Sequence, residues 1–296
     1  MLTEELMREV RRLEIRARRR VSDLFAGEYH SAFKGQGIEF ADVREYEPGD
    51  DVRSIDWNVT ARAGKPFIKR FAEERQLSVM LVVDLSASGL FGSGEKSKAR
   101  LMAEMGAVLA LAAARNNDRV GLMTFSDQVE LFIPPRKGRN GLLRLMRELL
   151  DAEPRAGGRA FADALSTLRG VLDRHSIVFV VSDFLDDLGE PDWELPLRLL
   201  ARKHDVVALR VSDPRERDLP PMGLLEVEDP ETGRRTLLET SGRSRRARRR
   251  KAAEAHERRL RELLGRDRVD LVSISTDRSF VNDLARYFHQ RERSRG

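Results

Sequence analysis

Residues 77–84 read LSVMLVVD, and residues 85–88 continue with LSAS. An unbroken apolar run of this length that ends in an acid is typical of a strand buried on both faces of a parallel sheet. A second run, residues 176–182 (SIVFVVS), leads directly into Asp183 in the same way. The two runs therefore predict two central strands of one sheet, each followed by a carboxylate.

Helical and strand-like segments alternate outward from these two runs over residues 77–290. The alternation predicts an α/β fold of the Rossmann type, with a doubly wound, mostly parallel sheet. We predict helices over 95–115, 138–150, 161–174, 190–203, 243–264 and 279–290, and further strands over 119–125, 129–133, 205–211 and 269–275. Residues 126–128 predict a tight turn between antiparallel strands. Residues 213–241 contain four prolines and strand-like segments at 223–228 and 235–239, which predicts an inserted hairpin.

Residues 1–76 form a separate region in this prediction. Apolar residues recur at helical spacing near the start, which predicts an amphipathic helix over 3–25. Residues 27–76 are rich in glycine and turn signals, so we expect loops and short strands there, for example over 38–40 and 67–71. The chain is therefore divided into an N-terminal extension, 1–76, packed on a main domain, 77–290.

The composition excludes several classes of protein. The 296 residues include no cysteine, so disulfides, Fe–S clusters and thiolate chemistry are excluded. We expect no transmembrane segment and no signal peptide, and therefore a cytoplasmic protein. His175 and His204 precede predicted strands, where a surface or capping position is expected. Because no nucleophile stands beside a base and the glycine-rich residues 89–97 lack the G-K-[ST] ending of a P-loop, we do not expect an enzyme.

Positive charge is concentrated near the C-terminus. The formal net charge is +5, and residues 242–296 contain 17 Lys and Arg against 8 Asp and Glu. One interpretation is a helix over 243–261 that binds nucleic acid or another acidic surface. The other is a solvated helical face, because Glu254, Glu257 and Glu262 are spaced for ion pairs with these arginines.

Oxygen-bearing side chains follow both central strands. Asp84, Ser86 and Ser88 form a D-x-S-x-S sequence, and Asp183 follows the second strand. Since ligands bind beyond the carboxyl ends of strands in open α/β sheets, these side chains are expected to converge. An oxygen-only set suits a hard cation such as Mg²⁺ or Mn²⁺. Alternatively, the serines cap the turn and Asp84 is buried in hydrogen bonds.

The chain resembles two known families. Residues 77–212 resemble a von Willebrand factor A domain, in which D-x-S-x-S is the metal-ion-dependent adhesion motif. Residues 35–62 resemble the bacterial domain-of-unknown-function 58 family, and the resemblance extends over about residues 20–290. The residues that carry it are Gly35, Gly37, Glu39, Phe40, Arg44, Tyr46, Pro48, Gly49, Asp50, Asp51, Arg53, Ile55, Asp56, Trp57, Ala61 and Arg62.

The resemblance implies a non-enzymatic protein–protein interaction module. It implies an adaptor or chaperone-like role beside a MoxR-type AAA+ ATPase, other von Willebrand factor A proteins, or both. The implied metal ligands are Asp84, Ser86, Ser88 and Asp183. The family pattern expects a threonine after paired glycines, but here Arg159 follows Gly157 and Gly158. A guanidinium there would repel Mg²⁺ and could bridge Asp84 or Asp183 instead, unless Asp163 neutralises it.

The motif over 35–62 also has a physical interpretation. Its basic and acidic side chains are expected to form an ion-pair network that holds the N-terminal region against the sheet; these are Arg44, Arg53, Arg62, Glu39, Asp50, Asp51 and Asp56. Trp57 and Tyr46 are expected to anchor it through apolar contacts. Whether the motif is structural or forms a partner surface stays open at this point.

Overall fold

The structure is a computed structural model that describes residues 29, 32–33, 38–73, 77–156, 160–185 and 191–295. The helix predicted over 3–25 lies outside the described residues. The strands are β1 (Ile38–Glu45), β2 (Phe67–Glu73), β3 (Ser78–Asp84), β4 (Arg119–Phe125), β5 (Val129–Arg136), β6 (Ile177–Ser182), β7 (Asp205–Ser212), β8 (Leu224–Glu228), β9 (Arg235–Glu239) and β10 (Asp270–Ser275). The helices are α1 (Trp57–Ala63), α2 (Lys98–Arg115), α3 (Arg139–Leu150), α4 (Phe161–Val171), α5 (Glu194–Ala201), α6 (Pro214–Arg217), α7 (Arg243–Arg266) and α8 (Phe280–Arg295).

The central sheet has six strands in the order β10-β7-β6-β3-β4-β5. All neighbouring strands are parallel except β5, which runs antiparallel to β4 after the tight turn at residues 126–128. β3 lies between β6 and β4, as expected for a strand that is apolar on both faces. The predicted doubly wound, mostly parallel α/β fold is confirmed.

The alternation of side chains along β3 divides the core into two layers. Val79, Leu81 and Val83 face a cluster that includes α2, α3 and α8. Met80 and Val82 face a second cluster built with α4, α5 and α7. Because both faces of the sheet are covered by helices, the free ends of the strands are the natural place for a binding site.

Buried aromatic residues near the N-terminus belong to the first layer. Tyr29 and Phe33 are buried, and the Phe33 ring lies 5.9 Å from the rings of Phe179 and Phe288. The guanidinium of Arg291 lies 4.5 Å above the Phe33 ring and forms ion pairs with Asp205 and Asp270. This cation–π contact therefore fixes residues 29 and 32–33 at the amino-terminal edge of the sheet.

Several predicted boundaries are wrong, and two helices were not predicted. The helix predicted over 95–115 begins at Lys98, because Ser97 caps it by accepting the N–H of Arg100. α1 begins after Asp56 in a region expected to hold only loops and strands, since Asp56 accepts the N–H groups of Asn58 and Val59. α6, which follows Asp213, was also not predicted. The hairpin β8–β9 is present, and it forms a sheet of its own.

Candidate functional site

Three central strands end in buried acids at the same edge of the sheet. Asp84 ends β3, Asp183 follows β6 and Asp213 follows β7, and all three are almost completely buried. The convergence of Asp84 and Asp183 follows from the parallel pairing of β3 with β6. Asp213 was missed, although the sequence V-S-D at 211–213 repeats the V-S-D at 181–183 and could have indicated it.

Asp84 fixes the loop that carries the two serines. One carboxylate oxygen of Asp84 accepts the N–H of Ser86 at 2.9 Å, and the other accepts the hydroxyl of Ser182 at 2.7 Å. The hydroxyls of Ser86 and Ser88 lie 3.0 Å apart. The D-x-S-x-S residues therefore lie together as predicted, and the turn and capping role considered for them is part of the geometry. Ser182 is a further member that the sequence did not indicate.

A lysine ammonium is the cation that the structure places beside Asp183. Lys98, the first residue of α2, is 1% exposed, and its Nζ lies 2.8 Å from Asp183 Oδ2 and 2.5 Å from Glu216 Oε1. Burial lowers the pKa of Lys98, but the charges of Asp183 and Glu216 more than offset this, so the pKa is raised above its usual value. Lys98 is therefore a buried cation at this edge.

These residues as arranged do not fit a divalent cation. The ammonium of Lys98 binds one oxygen of Asp183, and the other oxygen accepts the N–H of Leu185 at 3.1 Å. A divalent ion beside Asp183 would have to displace the ammonium or tolerate its repulsion. Within the described residues, no group of three or more His, Cys, Asp or Glu side chains could hold a metal ion. Metal binding by Asp84, Ser86, Ser88 and Asp183 stays a prediction.

Asp213 ties the inserted hairpin region to the rest of the site. Its carboxylate accepts the N–H and the hydroxyl of Ser93, the N–H of Arg215 and the hydroxyl of Thr276. Burial raises the pKa of Asp213, but these hydrogen bonds outweigh it, so the pKa lies below its ordinary value. Asp213 also caps α6, which carries Glu216 to Lys98. One acid thus holds three loops in fixed positions.

Arg159, which replaces the threonine expected from the family pattern, lies outside the described residues, so its predicted bridge to Asp84 or Asp183 is untested. The residues on either side of it are at the site. The N–H of Arg155 donates to the carbonyl of Leu85 at 2.8 Å, and the N–H of Ala160 donates to the carbonyl of Ser126 at 2.7 Å. Asp163 is exposed on α4.

The motif residues of the N-terminal region act mainly within that region. Arg44 forms an ion pair with Asp50 at 2.6 Å. The N–H of Glu47 and the guanidinium of Arg44 lower the pKa of Asp50. Asp51 and Asp56 cap short helices, and the side chains of Arg53 and Arg62 are exposed, so the predicted network stays a prediction beyond the pair of Arg44 with Asp50. The side chain of Glu39 is not among those that the structure describes.

The prediction that Trp57 is an apolar anchor is wrong. Trp57 is 67% exposed at the start of α1, while Tyr46 is half-buried. Trp57 is the first residue of α1, directly after the capping residue Asp56. An exposed tryptophan beside exposed arginines is the composition that partner surfaces favour.

We expect Asp56→Ala and Trp57→Ala to separate the structural role of the motif from its binding role. Asp56→Ala removes a helix cap and should lower the free energy of unfolding by about 1 kcal/mol. Trp57→Ala should change it by less than about 0.5 kcal/mol, because the indole is exposed. Urea denaturation measures both changes. Equal destabilisation by the two substitutions would contradict an exposed role for Trp57.

The basic helix α7 has a paired and an unpaired face. Arg250 pairs with Glu254 and Arg261 pairs with Glu257, as the spacing predicted. Arg248 and Lys251 are exposed, and within the described residues they form no ion pair. The nucleic-acid interpretation of residues 243–261 stays a prediction.

The fold and the site together define a doubly wound, mostly parallel α/β domain with an inserted hairpin and a buried lysine at the edge that carries the D-x-S-x-S loop. Residues 42–259 match the family described as "Protein of unknown function DUF58". The chain belongs to this family, which confirms the predicted membership.

Relatives are found among mycobacterial proteins. An uncharacterized protein of Mycobacterium tuberculosis (strain ATCC 25618 / H37Rv) is 31% identical over 293 residues, covering 98% of this chain and 90% of the relative. An uncharacterized protein of Mycobacterium avium is 32% identical over 166 residues, covering 54% of this chain and 94% of the relative.

Two solved structures are similar to this chain at low sequence identity. An aerotolerance-related membrane protein from Bacteroides fragilis NCTC 9343 has a TM-score of 0.51 and 15% identity, covering 74% of this chain and 99% of that chain. The SpRpn10 VWA domain has a TM-score of 0.38 and 15% identity, covering 72% of this chain and 95% of that chain. Within the described residues, no helix is long and apolar enough to cross a membrane.

Proposed function

We propose that this chain is a non-enzymatic interaction module that binds a MoxR-type AAA+ ATPase at the edge of the sheet where Asp84, Asp183 and Asp213 lie. The observation that carries the proposal is that all three acids already accept hydrogen bonds from the protein itself. A general base must instead direct a lone pair at a substrate. The arrangement supports a rigid recognition surface better than a catalytic centre.

The presentation of the serine loop supports partner binding at this edge. Ser88 is half-buried, and its N–H donates to Glu231 of the inserted hairpin region at 2.8 Å. The loop is therefore held by Asp84 at the end of β3 and by Glu231 of the inserted hairpin region. A preorganised loop loses little conformational entropy on binding. In this proposal the ammonium of Lys98, in place of Mg²⁺, supplies the positive charge beside Asp183.

Asp84→Ala tests the proposal. We expect it to weaken binding to the purified MoxR-type ATPase of the same genome at least tenfold, because the Ser86–Ser88 loop loses its anchor. Biolayer interferometry with the immobilised ATPase measures the change. Asp173→Ala is the matched control, since Asp173 is exposed on the loop before β6, at the opposite edge.

Thermal unfolding of each variant separates a local effect from a loss of fold. Ser88→Ala, which leaves the Asp84 hydrogen bonds intact, should also weaken binding. Binding of the ATPase that is equal for the wild type, Asp84→Ala and Ser88→Ala would place the interface elsewhere. No binding by the wild type would remove the ATPase as the partner.

A further inference from the structure

An open cavity lies beside the serine loop, and Ser88, Lys98 and Glu216 of the site form part of its wall. It has a volume of about 780 Å³ and lies between the segment that follows Ser88 and the hairpin β8–β9; we call it the hairpin groove. Its walls are mostly apolar, and the side chains used below are Leu90, Phe91, Met222, Leu225, Val227 and Leu238. A cavity of this size lined by apolar groups is typical of a binding site.

The two faces of the hairpin differ in what they contact. Leu225 and Leu238 are paired across the strands, and both line the groove. Leu224 and Leu237 point to the other face and are exposed. An isolated two-stranded hairpin is at best marginally stable in water, so its apolar inner face requires a covering surface. The groove leaves that inner face only partly covered.

The hairpin groove is held open by fixed contacts. Asp213 binds the backbone and the hydroxyl of Ser93 on one wall. Thr240 joins the two ends of the hairpin through Met222 and Gly223. Because these contacts do not depend on an occupant, the groove exists before binding and need not be opened by it.

The charges around the groove select the kind of occupant. Its two acidic lining residues are already paired, Glu216 with Lys98 and Glu228 with Arg235. Arg215 and Arg249 also line it, and within the described residues neither forms an ion pair. The rim therefore offers cationic donors to carboxylates.

We infer that the hairpin groove binds a short amphipathic segment of the partner protein that combines apolar anchors with acidic side chains. This inference rests on the proposed function and names the feature of the partner that the chain recognises. The segment 1–28 of this chain is a poorer occupant, because its 7 Arg outnumber its 6 Asp and Glu. Like charges would oppose its approach to the rim.

The experiment uses the full chain and a fluorescein-labelled model peptide. In this peptide Leu recurs at helical spacing and Glu occupies the positions between. A peptide with Lys in place of every Glu is the matched probe. We expect the acidic peptide to bind at least tenfold more tightly than the basic one in fluorescence anisotropy. Met222→Asp should weaken the acidic peptide at least tenfold, since Met222 is 63% exposed in the groove. Leu237→Asp, at a residue 68% exposed on the outer face, should not.

A double variant that carries Arg215→Glu and Arg249→Glu supplies an independent test of the charge preference. The double variant should reverse the preference between the two peptides. Equal binding of both peptides, or equal effects of Met222→Asp and Leu237→Asp, would overturn the inference. A synthetic peptide of residues 1–28 that binds with the same dependence on Met222 would overturn it in favour of the chain's own segment. A dimer in sedimentation velocity that Met222→Asp dissociates would overturn it in favour of a second copy.

The same variants keep this inference distinct from the proposed function. If the ATPase binds the wild type but binds Met222→Asp equally well, the groove fails as the recognition surface while the ATPase partner stands. If the acidic peptide binds with the expected dependence on Met222 but the ATPase does not bind, the partner is wrong while the groove stands. Asp173→Ala, at the opposite edge of the sheet, should leave binding of the peptide unchanged.

Discussion

Replacing Lys98 with methionine is expected to lower the free energy of unfolding by about 3–5 kcal/mol. The substitution removes the ammonium that lies between Asp183 and Glu216 and leaves two carboxylates without their cation. Asp183 is 1% exposed, so water cannot replace the lost contact. Breaking a buried pair by removing one partner costs far more than the pair contributes in net terms. Urea denaturation measures the loss.

Lys65→Met is the matched control. Lys65 forms an ion pair with Glu45 at 3.1 Å, but both side chains are largely exposed. An exposed pair contributes about 0–1 kcal/mol, so the control should be nearly neutral. A Lys98→Met variant as stable as Lys65→Met would show that the ammonium does not compensate Asp183.

The same Lys98 variant should acquire a response to divalent cations. Without the ammonium, the carboxylates of Asp183 and Glu216 lose the cation between them, and a divalent cation such as Mg²⁺ or Mn²⁺ is a charge that would compensate both. A ligand that binds only the folded state raises its stability. We therefore expect Mn²⁺ to raise the Tm of Lys98→Met and to leave that of the wild type unchanged. An equal rise in both would mean that the site takes a metal with Lys98 in place.

The central strands could be predicted because their physical signal is local. Residues 77–84 and 176–182 are apolar without interruption, and such segments have few alternatives to a buried parallel strand. Once two parallel strands are neighbours, the acids that follow them must converge, so the meeting of Asp84 and Asp183 needed no further information. The hairpin β8–β9 was predictable for a similar reason, since its turn residues lie between two strand-like segments.

The cation at the site could not be predicted because it comes from a distant part of the chain. A lysine at the start of a helix usually faces water, and nothing near Lys98 in the sequence indicates burial. Its acidic partners Asp183 and Glu216 are 85 and 118 residues away. The error on Trp57 has the same origin, because its exposure depends on which surfaces pack together. Arg159 could be singled out from the sequence because it replaces the threonine that the family pattern expects. Lys98 departs from no such pattern.

Two buried titratable groups at the amino-terminal edge should affect stability in opposite directions as the pH changes. His204, expected on the surface or in a cap, is 3% exposed, and burial lowers its pKa to about 4, with smaller effects from Lys203 and His175. Asp118 is 2% exposed, and burial raises its pKa to about 6, against opposing effects of the Leu77 N–H and Lys137. Both pKa values differ from those of the unfolded chain.

The sign of each contribution follows from which state binds the proton. Between about pH 4 and 6.5 the unfolded chain protonates His204 and the folded chain does not, so stability falls as the pH is lowered. Between about pH 3.8 and 6 the folded chain keeps the proton on Asp118 and the unfolded chain releases it, so stability rises as the pH is lowered. Each shift corresponds to roughly 3 kcal/mol over its full range. In the wild type the two contributions should largely cancel between pH 4 and 6.

Removing either group should therefore reveal the pH dependence that the other contributes to the free energy of unfolding. Asp118→Asn keeps an acceptor for the Leu77 N–H but cannot titrate, so this variant should lose about 2 kcal/mol more than the wild type from pH 6.5 to 4.5. For His204→Leu, the free energy of unfolding should instead rise, relative to the wild type, as the pH is lowered over the same range. This substitution should not be destabilising at pH 7, because within the described residues neither ring nitrogen of His204 has a hydrogen-bond partner. Urea denaturation at pH 4.5, 5.5 and 6.5 measures all three proteins. The remaining carboxylates contribute equally to each of the three proteins. Identical slopes of the free energy of unfolding against pH would therefore contradict the shifted pKa values of His204 and Asp118.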